Sequence, residues 1–125
     1  MNSKKIVIWG KVKKGSERGR LLGFPTANIA LHKKIELGIY VSYTKVFEKT
    51  YPSVTFIGNA TTFDEKEIKA ETYILDFKKD LYKKYISIRL LKKLRGNIKF
   101  KNEKELIRQI KKDIEDTKKY FLKNE

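Results

Sequence analysis

The chain has 125 residues, 40% of them hydrophobic, which is enough for one compact core and short for two, so we expect a single domain over residues 1–125. It contains no cysteine and no apolar run near the roughly 18 residues of a membrane span, which excludes disulfide frameworks, thiolate metal sites and a membrane-spanning segment. Its net charge of +15 excludes no class, because nucleic acid, anionic membranes and polyphosphate ligands are all attracted to a basic surface.

Most of the chain alternates apolar and polar residues with a period of two. This pattern predicts five strands, at residues 4–12, 38–47, 52–60, 70–77 and 85–94. The glycine-rich residues 13–37 show no regular pattern, and we expect a functional loop there. The later connections, at 48–51, 61–69 and 78–84, are short, which favours antiparallel pairing in a closed or nearly closed barrel. We expect Trp9 to pack on the first strand and the single histidine, His32, to lie on the surface.

After Phe100 the period changes to 3.6 and predicts a helix. Asn102 can cap this helix, with Glu105 three residues later in the position of a capping box. Apolar positions then recur at helical spacing, at Leu106, Ile110, Ile114, Thr117 and Phe121. We expect this helix to pack on the barrel.

The segment from Gly10 to Asn28 reads G-x-V-x-x-G-x-x-x-G-R-x-x-G-F-P-T-A-N. Glycines allow backbone N–H groups to approach a phosphate closely. The segment matches neither a Walker A loop nor a dinucleotide fingerprint, so the glycines by themselves also fit ordinary turns that need a positive φ. The glycines therefore favour phosphate binding without requiring it.

The Pro-Thr-Ala-Asn tetrapeptide within this segment is stronger evidence for phosphate binding than the glycines are. Pro25 stiffens the backbone, and alternation places the side chains of Thr26 and Asn28 on the same side. A hydroxyl and an amide oxygen are hard ligands that suit Mg²⁺, which takes its other ligands from nucleotide phosphates and water. The alternative is a Pro-Thr turn with Asn28 in an Asx-turn.

A second candidate is Glu71, near the start of the predicted strand 70–77. It shares a face with Tyr73, Leu75 and Phe77, and a carboxylate on an apolar face can act as a general base that accepts a hydroxyl proton. The alternative is a glutamate in solvent at the end of a strand.

These motifs occur together in one order: G-x-V-x-x-G, G-R-x-x-G-F-P-T-A-N, G-I-Y, E-T-Y-I-L-D-F, D-L-Y, L-R, K-F and the closing E-L-I-x-Q-I-x-x-D helix. In this the chain resembles the riboflavin kinase family, over roughly residues 10–121. The resemblance implies a mainly β fold, a six-stranded antiparallel Greek-key barrel with a C-terminal helix. It also implies phosphorylation of the riboflavin 5′-hydroxyl by ATP to give FMN and ADP, with Mg²⁺ or another divalent cation.

Carried over position by position, the resemblance assigns roles to several residues. Thr26 and Asn28 stand where the family holds the metal and the nucleotide phosphates. Gly15 and Arg20 fall in the loop that covers ATP. Glu71 stands where the family has its catalytic carboxylate, close to the ribityl 5′-hydroxyl.

The resemblance also assigns residues to the flavin ring, and two positions of the chain differ from the family pattern. Arg95 and Phe100 lie where the flavin ring is expected. Lys83 replaces the glycine of a D-x-Y-G turn, which puts the backbone of that turn and its contact to bound nucleotide in doubt, and Thr61 replaces a proline. The resemblance does not extend to an FMN adenylyltransferase domain, so FAD synthesis is not predicted.

We expect riboflavin or FMN and ATP or ADP as the partners of a monomeric protein. The lysines are scattered as pairs along the whole chain, and Lys greatly exceeds Arg, whereas planar contacts to phosphates and bases favour Arg. We therefore interpret the charge as a solvated surface and expect no nucleic-acid partner. The alternative function is a non-enzymatic basic barrel that binds RNA or single-stranded DNA through its exposed aromatics.

Overall fold

A computed structural model of the protein describes residues 6–13, 23, 26–58, 68–77 and 79–124. Within these residues, six antiparallel strands form a nearly closed barrel, and one helix packs on its outside. The elements are β1 (Ile6–Lys11), β2 (Ala27–Ala30), β3 (Gly38–Val46), β4 (Lys49–Gly58), β5 (Lys69–Ile74), β6 (Tyr85–Arg95) and α1 (Glu103–Lys123).

The described strands follow the order β1-β6-β3-β4-β5-β2 across the sheet, and each pairing is antiparallel. Strands β3, β4 and β5 are successive neighbours, and β6 returns to lie beside β3, which is a Greek-key arrangement. The fold class predicted from the sequence is confirmed.

The barrel closes where β1 runs past β2. The backbone N–H of Lys13 donates to the carbonyl oxygen of Asn28 at 2.8 Å. Gly10 lies close to Ile29 here, and a Cβ at its position would make ordinary van der Waals contact at 3.4 Å with the Cβ of Ile29. The contact fixes β2, which carries the end of the Pro-Thr-Ala-Asn segment, against the neighbouring strand.

The barrel interior combines an apolar cluster with a chain of hydroxyl groups. The apolar cluster includes Ile8, Ile29, Ile57, Ile74, Ile88 and Leu90. Beside it, five buried side chains are joined by four hydrogen bonds of 2.6 to 2.8 Å, in the order Thr44, Ser53, Ser42, Thr55 and Thr72. We call these five residues the hydroxyl ladder. It links β3, β4 and β5 from inside the barrel.

Helix α1 begins and packs largely as predicted. The side chain of Asn102 accepts a hydrogen bond from the N–H of Glu105 at 3.0 Å, so the N-cap is confirmed. The carboxylate of Glu105 reaches the N–H of Lys101, one residue earlier than in a standard capping box. On the other end, the rings of Phe121 and Tyr43 lie 5.0 Å apart, and the helix covers the outer face of β3 and β4.

The predicted connection at residues 48–51 is wrong, because β3 ends at Val46 and β4 begins at Lys49. The two-residue turn between them has positive φ at both Phe47 (53°) and Glu48 (62°), as in a type I′ hairpin. This turn usually carries Asn-Gly or Asp-Gly, so the sequence Phe-Glu gives no signal for it.

The strand predicted at 70–77 ends at Ile74 because the chain turns at Leu75 and Asp76, where Asp76 has a φ of 56°. The apolar face predicted to follow Glu71 therefore stops at Tyr73. The short strand β2 lies inside the segment for which no periodicity was visible. Four residues are too few for a pattern, and its pairing with β5 defines it.

On the outer face of β1, Trp9 is 55% exposed and its ring centroid lies 4.0 Å from that of His32. The expectation that Trp9 is a packing residue of the first strand is wrong. The surface position expected for His32 is confirmed.

Candidate active site

The pairing of β2 with β5 brings together two residues that are far apart in the sequence. Asn28 and Glu71 are direct cross-strand partners. Residues that face each other in an antiparallel pair lie on the same side of the sheet, with Cβ atoms about 4.5 to 5.5 Å apart. The amide that was predicted to bind metal therefore lies beside the carboxylate that was predicted to act as a base.

Asn28 is unusual among the buried polar residues. Its side chain is 3% exposed, and its Oδ1 atom has no hydrogen-bond partner in the described part of the chain. A buried acceptor without a donor costs about 1 to 3 kcal/mol, so such atoms call for an explanation. A bound cation or a ligand donor would supply the missing partner. Thr26 precedes β2 and is half-buried.

Glu71 is half-buried between Asn28 on β2 and Phe56 on β4. The register continues from Phe56 to Ile39 on β3 and then to Arg95 on β6, so a single row crosses five strands on the outer face. Phe56 and Ile39 were not predicted as members of this row. No local signal could have found them, because register between strands depends on tertiary pairing.

Arg95 stands at the far end of this row and is engaged by the helix. Its Nε and Nη2 atoms donate to the two carboxylate oxygens of Asp113 at 2.9 and 2.7 Å, and its Nη1 donates to the carbonyl of Gly96 at 3.0 Å. Gln109 donates to the same carboxylate at 2.9 Å. Four strand spacings separate Arg95 from Asn28, about 19 Å along the sheet. The two hydrogen bonds from the Arg95 guanidinium to Asp113 join β6 to α1.

The other residues predicted for the site are not part of this row across the strands. Phe100 is half-buried in the segment between β6 and α1. Gly15 and Arg20 lie outside the described residues, as does the departure at Thr61.

The turn with the unusual Lys83 is formed. The Oδ1 atom of Asp80 accepts from the N–H of Tyr82 at 2.9 Å, and the N–H of Lys84 donates to the carbonyl of Leu81 at 2.9 Å. Lys83 has a φ of 71°, in the left-handed region that favours glycine. Its N–H donates to the carbonyl of Val12 at 3.0 Å, which ties the turn to the entrance of the glycine-rich segment. The doubt about this backbone is therefore resolved.

The sequence profile of the Flavokinase family, described as riboflavin kinase, matches residues 2–121. The chain belongs to the riboflavin kinase family.

Several relatives support this membership. The chain is 42% identical to the trifunctional protein RibF/MnmA of Mycoplasmoides gallisepticum, with 93% of this chain and 18% of that protein covered. It is 37% identical to the bifunctional riboflavin kinase/FMN adenylyltransferase of Listeria monocytogenes, with 93% and 38% covered. The chain thus spans well under half the length of these two relatives.

A solved structure of similar fold is riboflavin kinase from Trypanosoma brucei. The TM-score is 0.65 at 28% identity, and the match covers 94% of this chain and 80% of that one.

The described residues contain neither a cluster of metal-ligating side chains nor a helix that could span a membrane. In the described ranges, no three His, Cys, Asp or Glu side chains gather into a metal-binding cluster. Among the same residues, no helix is both long and apolar enough to span a bilayer.

Proposed function

We propose that this chain transfers the γ-phosphoryl group of ATP to the 5′-hydroxyl of riboflavin, giving FMN and ADP. Family membership supports the reaction, and the observation that carries it is the pairing of Asn28 with Glu71. Phosphoryl transfer needs a phosphate-binding site and an acceptor hydroxyl held in line. Neighbouring positions on β2 and β5 would supply the two requirements.

Glu71 acts as the general base. Its carboxylate accepts a hydrogen bond from the 5′-hydroxyl and orients a lone pair toward the γ-phosphorus. A bond forms between this oxygen and phosphorus as the bond from phosphorus to the bridging oxygen of ADP breaks. The proton passes to Glu71 late in the reaction and then to solvent.

The oxygen atoms of Thr26 and Asn28 fit a magnesium ion. The unpartnered, buried Oδ1 of Asn28 supports this fit, because a hard neutral oxygen suits a cation that keeps water and phosphate ligands. When bound, Mg²⁺ would neutralise charge on the phosphates. Gly15 and Arg20 would cover the nucleotide, while Arg95 and Phe100 would lie toward the flavin ring.

Replacement of the base tests this assignment. We expect Glu71→Gln to lower kcat by about 100-fold to 10,000-fold, because the amide cannot take the proton. The dissociation constant for riboflavin should change by less than about threefold, since an isosteric amide leaves the apolar contacts in place. FMN formation is measured by chromatography, and riboflavin binding by quenching of flavin fluorescence.

Glu48→Gln is the matched control. It makes the same chemical change at the exposed tip of the β3–β4 hairpin, and we expect normal turnover. Near-normal FMN formation by Glu71→Gln would refute the role of Glu71. Loss of activity in both variants would show that the effect is not specific to this position.

A further inference from the structure

The outer face of β1, β6 and β3 is basic, although the lysines are scattered along the sequence. These three adjacent strands contain no Asp or Glu. Four cations lie exposed on their outer side: Lys11, Lys45 and Arg89, with Lys92 farther along β6. Pairing of β6 with β1 and β3 brings these cations together on one surface, although they are far apart in the sequence.

Two exposed aromatic side chains lie among these cations. Trp9 is 55% exposed and Tyr85 is 73% exposed. In the β1–β6 register Trp9 faces Ser87 and Lys11 faces Tyr85, so the two aromatic residues are diagonal neighbours on one face. We call the surface formed by Trp9, Tyr85, Lys11, Lys45 and Arg89 the aromatic–basic face.

The β2–β3 connection adds a polar edge to the aromatic–basic face. The Nε2 atom of His32 accepts a hydrogen bond from the backbone N–H of Trp9 at 3.2 Å, and its ring contacts the indole at a tilt of 45°. The ammonium of Lys33 lies 5.4 Å from the centre of the Trp9 ring and donates to the carbonyl of Val7 at 2.8 Å. These contacts hold the indole in place while more than half of it stays exposed.

The positive surface continues along β6 into a groove beside α1. This open groove has a volume of about 470 Å³ and is lined by Lys92, Leu94, Asp116, Lys119, Tyr120, Lys123 and Asn124. Its acidic member, Asp116, is paired with Lys112 at 3.4 Å. The strand itself would guide a linear polyanion, since its 11 residues extend about 35 Å.

The centre of the aromatic–basic face lies across the barrel from Glu71, although its members on β1, Trp9 and Lys11, belong to the strand that closes on β2 beside Asn28. It centres on β6, whereas Asn28 and Glu71 lie on β2 and β5. In the closed order of six strands, β6 and β5 are three positions apart in either direction. The part of the face on β6 near Tyr85 and Arg89 is therefore separate from the pair of Asn28 and Glu71.

We propose that the aromatic–basic face binds single-stranded nucleic acid. Flat aromatic rings among cations match a chain of alternating bases and phosphates, because bases stack on the rings while Lys and Arg contact the backbone. An anionic membrane fits less well, since it requires apolar side chains that insert into the bilayer, and the exposed groups beside the two rings are charged. A duplex fits less well because its bases are already stacked.

The single tryptophan of the chain gives a direct test. Oligouridylate of about ten nucleotides, within the range that one small barrel covers, is titrated into the whole protein while Trp9 emission is recorded. We expect saturable quenching that weakens with salt. Three or four phosphate contacts predict a slope of log K against log salt of about −2 to −3. The same strand in a duplex should quench more weakly.

Matched variants locate the contact. Lys45→Gln with Arg89→Gln should reduce the magnitude of the salt slope by about 1.4, because each lost contact removes about 0.7. Lys111→Gln with Lys118→Gln, on the exposed side of α1, removes the same charge and should leave the slope unchanged. Tyr85→Ala should weaken binding by about tenfold through lost stacking, with the Trp9 reporter intact. Thermal unfolding of each variant verifies its fold.

Three outcomes would overturn the proposal. One is the absence of oligonucleotide quenching at low salt. Another is an equal effect of the two pairs of charge substitutions, which would indicate attraction to the whole basic molecule. The third is a shift of Trp9 emission with phosphatidylglycerol vesicles but not with oligonucleotide. Each result is independent of FMN formation, so failure of the proposed kinase function would leave this test unaffected.

Discussion

Two backbone positions show how single residues meet the demands of the barrel. Gly38 has a φ of 154°, and a Cβ there would lie 2.6 Å from the carbonyl oxygen of Arg95, so only glycine fits between β3 and β6. Lys83 has a φ of 71°, where a side chain is tolerated at a cost. The left-handed conformation costs an L-residue roughly 1 to 2 kcal/mol.

Replacing Lys83 with glycine should therefore stabilise the protein. We expect Lys83→Gly to raise the free energy of unfolding by about 0.5 to 1 kcal/mol, since glycine's greater freedom in the unfolded state offsets part of the relieved strain. Chemical denaturation measures the change. Lys84→Gly is the neighbouring control, with no positive φ to relieve, and should destabilise slightly. A destabilised Lys83→Gly would contradict the turn geometry.

At the scale of elements, the hydroxyl ladder specifies the register between β4 and β5, which the alternation of apolar and polar residues does not specify. A slip of β5 by two residues against β4 would keep every side chain on its own face. It would, however, break the 2.6 Å bond between Thr55 and Thr72. The same slip would move Glu71 away from Phe56 and alter the row that contains the candidate site. The ladder thus favours the register in which Glu71 lies beside Phe56.

A double-mutant cycle tests the ladder. Thr55→Val leaves the Thr72 hydroxyl buried without its partner, which should cost about 1 to 3 kcal/mol. Adding Thr72→Val removes the orphaned hydroxyl, so we expect a coupling energy near 1 kcal/mol in urea unfolding. Additivity of the two substitutions within about 0.5 kcal/mol would show that the hydrogen bond does not stabilise the fold.

The pair of Arg95 and Asp113 docks the helix on β6. Asp113 is 5% exposed, and loss of one partner leaves the other with an uncompensated charge. We expect Asp113→Asn to lower the free energy of unfolding by about 2 to 4 kcal/mol. Lys112→Gln breaks an exposed i, i+4 pair with Asp116 and should cost less than about 0.5 kcal/mol. Similar effects of both substitutions in urea unfolding would rule out this anchoring role.

At the scale of the whole molecule, the charge of +15 opposes compaction. Raising the salt concentration from about 0.01 to about 0.15 M shortens the screening length from about 30 to about 8 Å. We therefore expect the Tm to rise by a few degrees over this range. Sodium and choline chloride should give the same increase, because the effect is screening and not cation binding. A constant or falling Tm would mean that self-repulsion is unimportant.

Much of the fold followed from local patterns. The alternation in β1, β3, β4 and β6 and the Asn102 cap of α1 depend on neighbours within a few residues, and these elements were predicted near their observed positions. The ordered motifs indicated the family, which is confirmed, whereas phosphate binding by the glycine segment with Thr26 and Asn28 stays a prediction. The Phe47–Glu48 turn and the short β2 escaped prediction, because pairing with distant strands determines both.

The sequence by itself determined the helix, five of the six strands, the family and the residue types available for catalysis, since these depend on composition and short-range spacing. Only the tertiary structure decided that Asn28 faces Glu71, that Arg95 binds Asp113, and that scattered lysines share a face with Trp9 and Tyr85. The physical reason is that strand register depends on packing and hydrogen bonding between segments far apart in the chain, and no local pattern encodes these contacts.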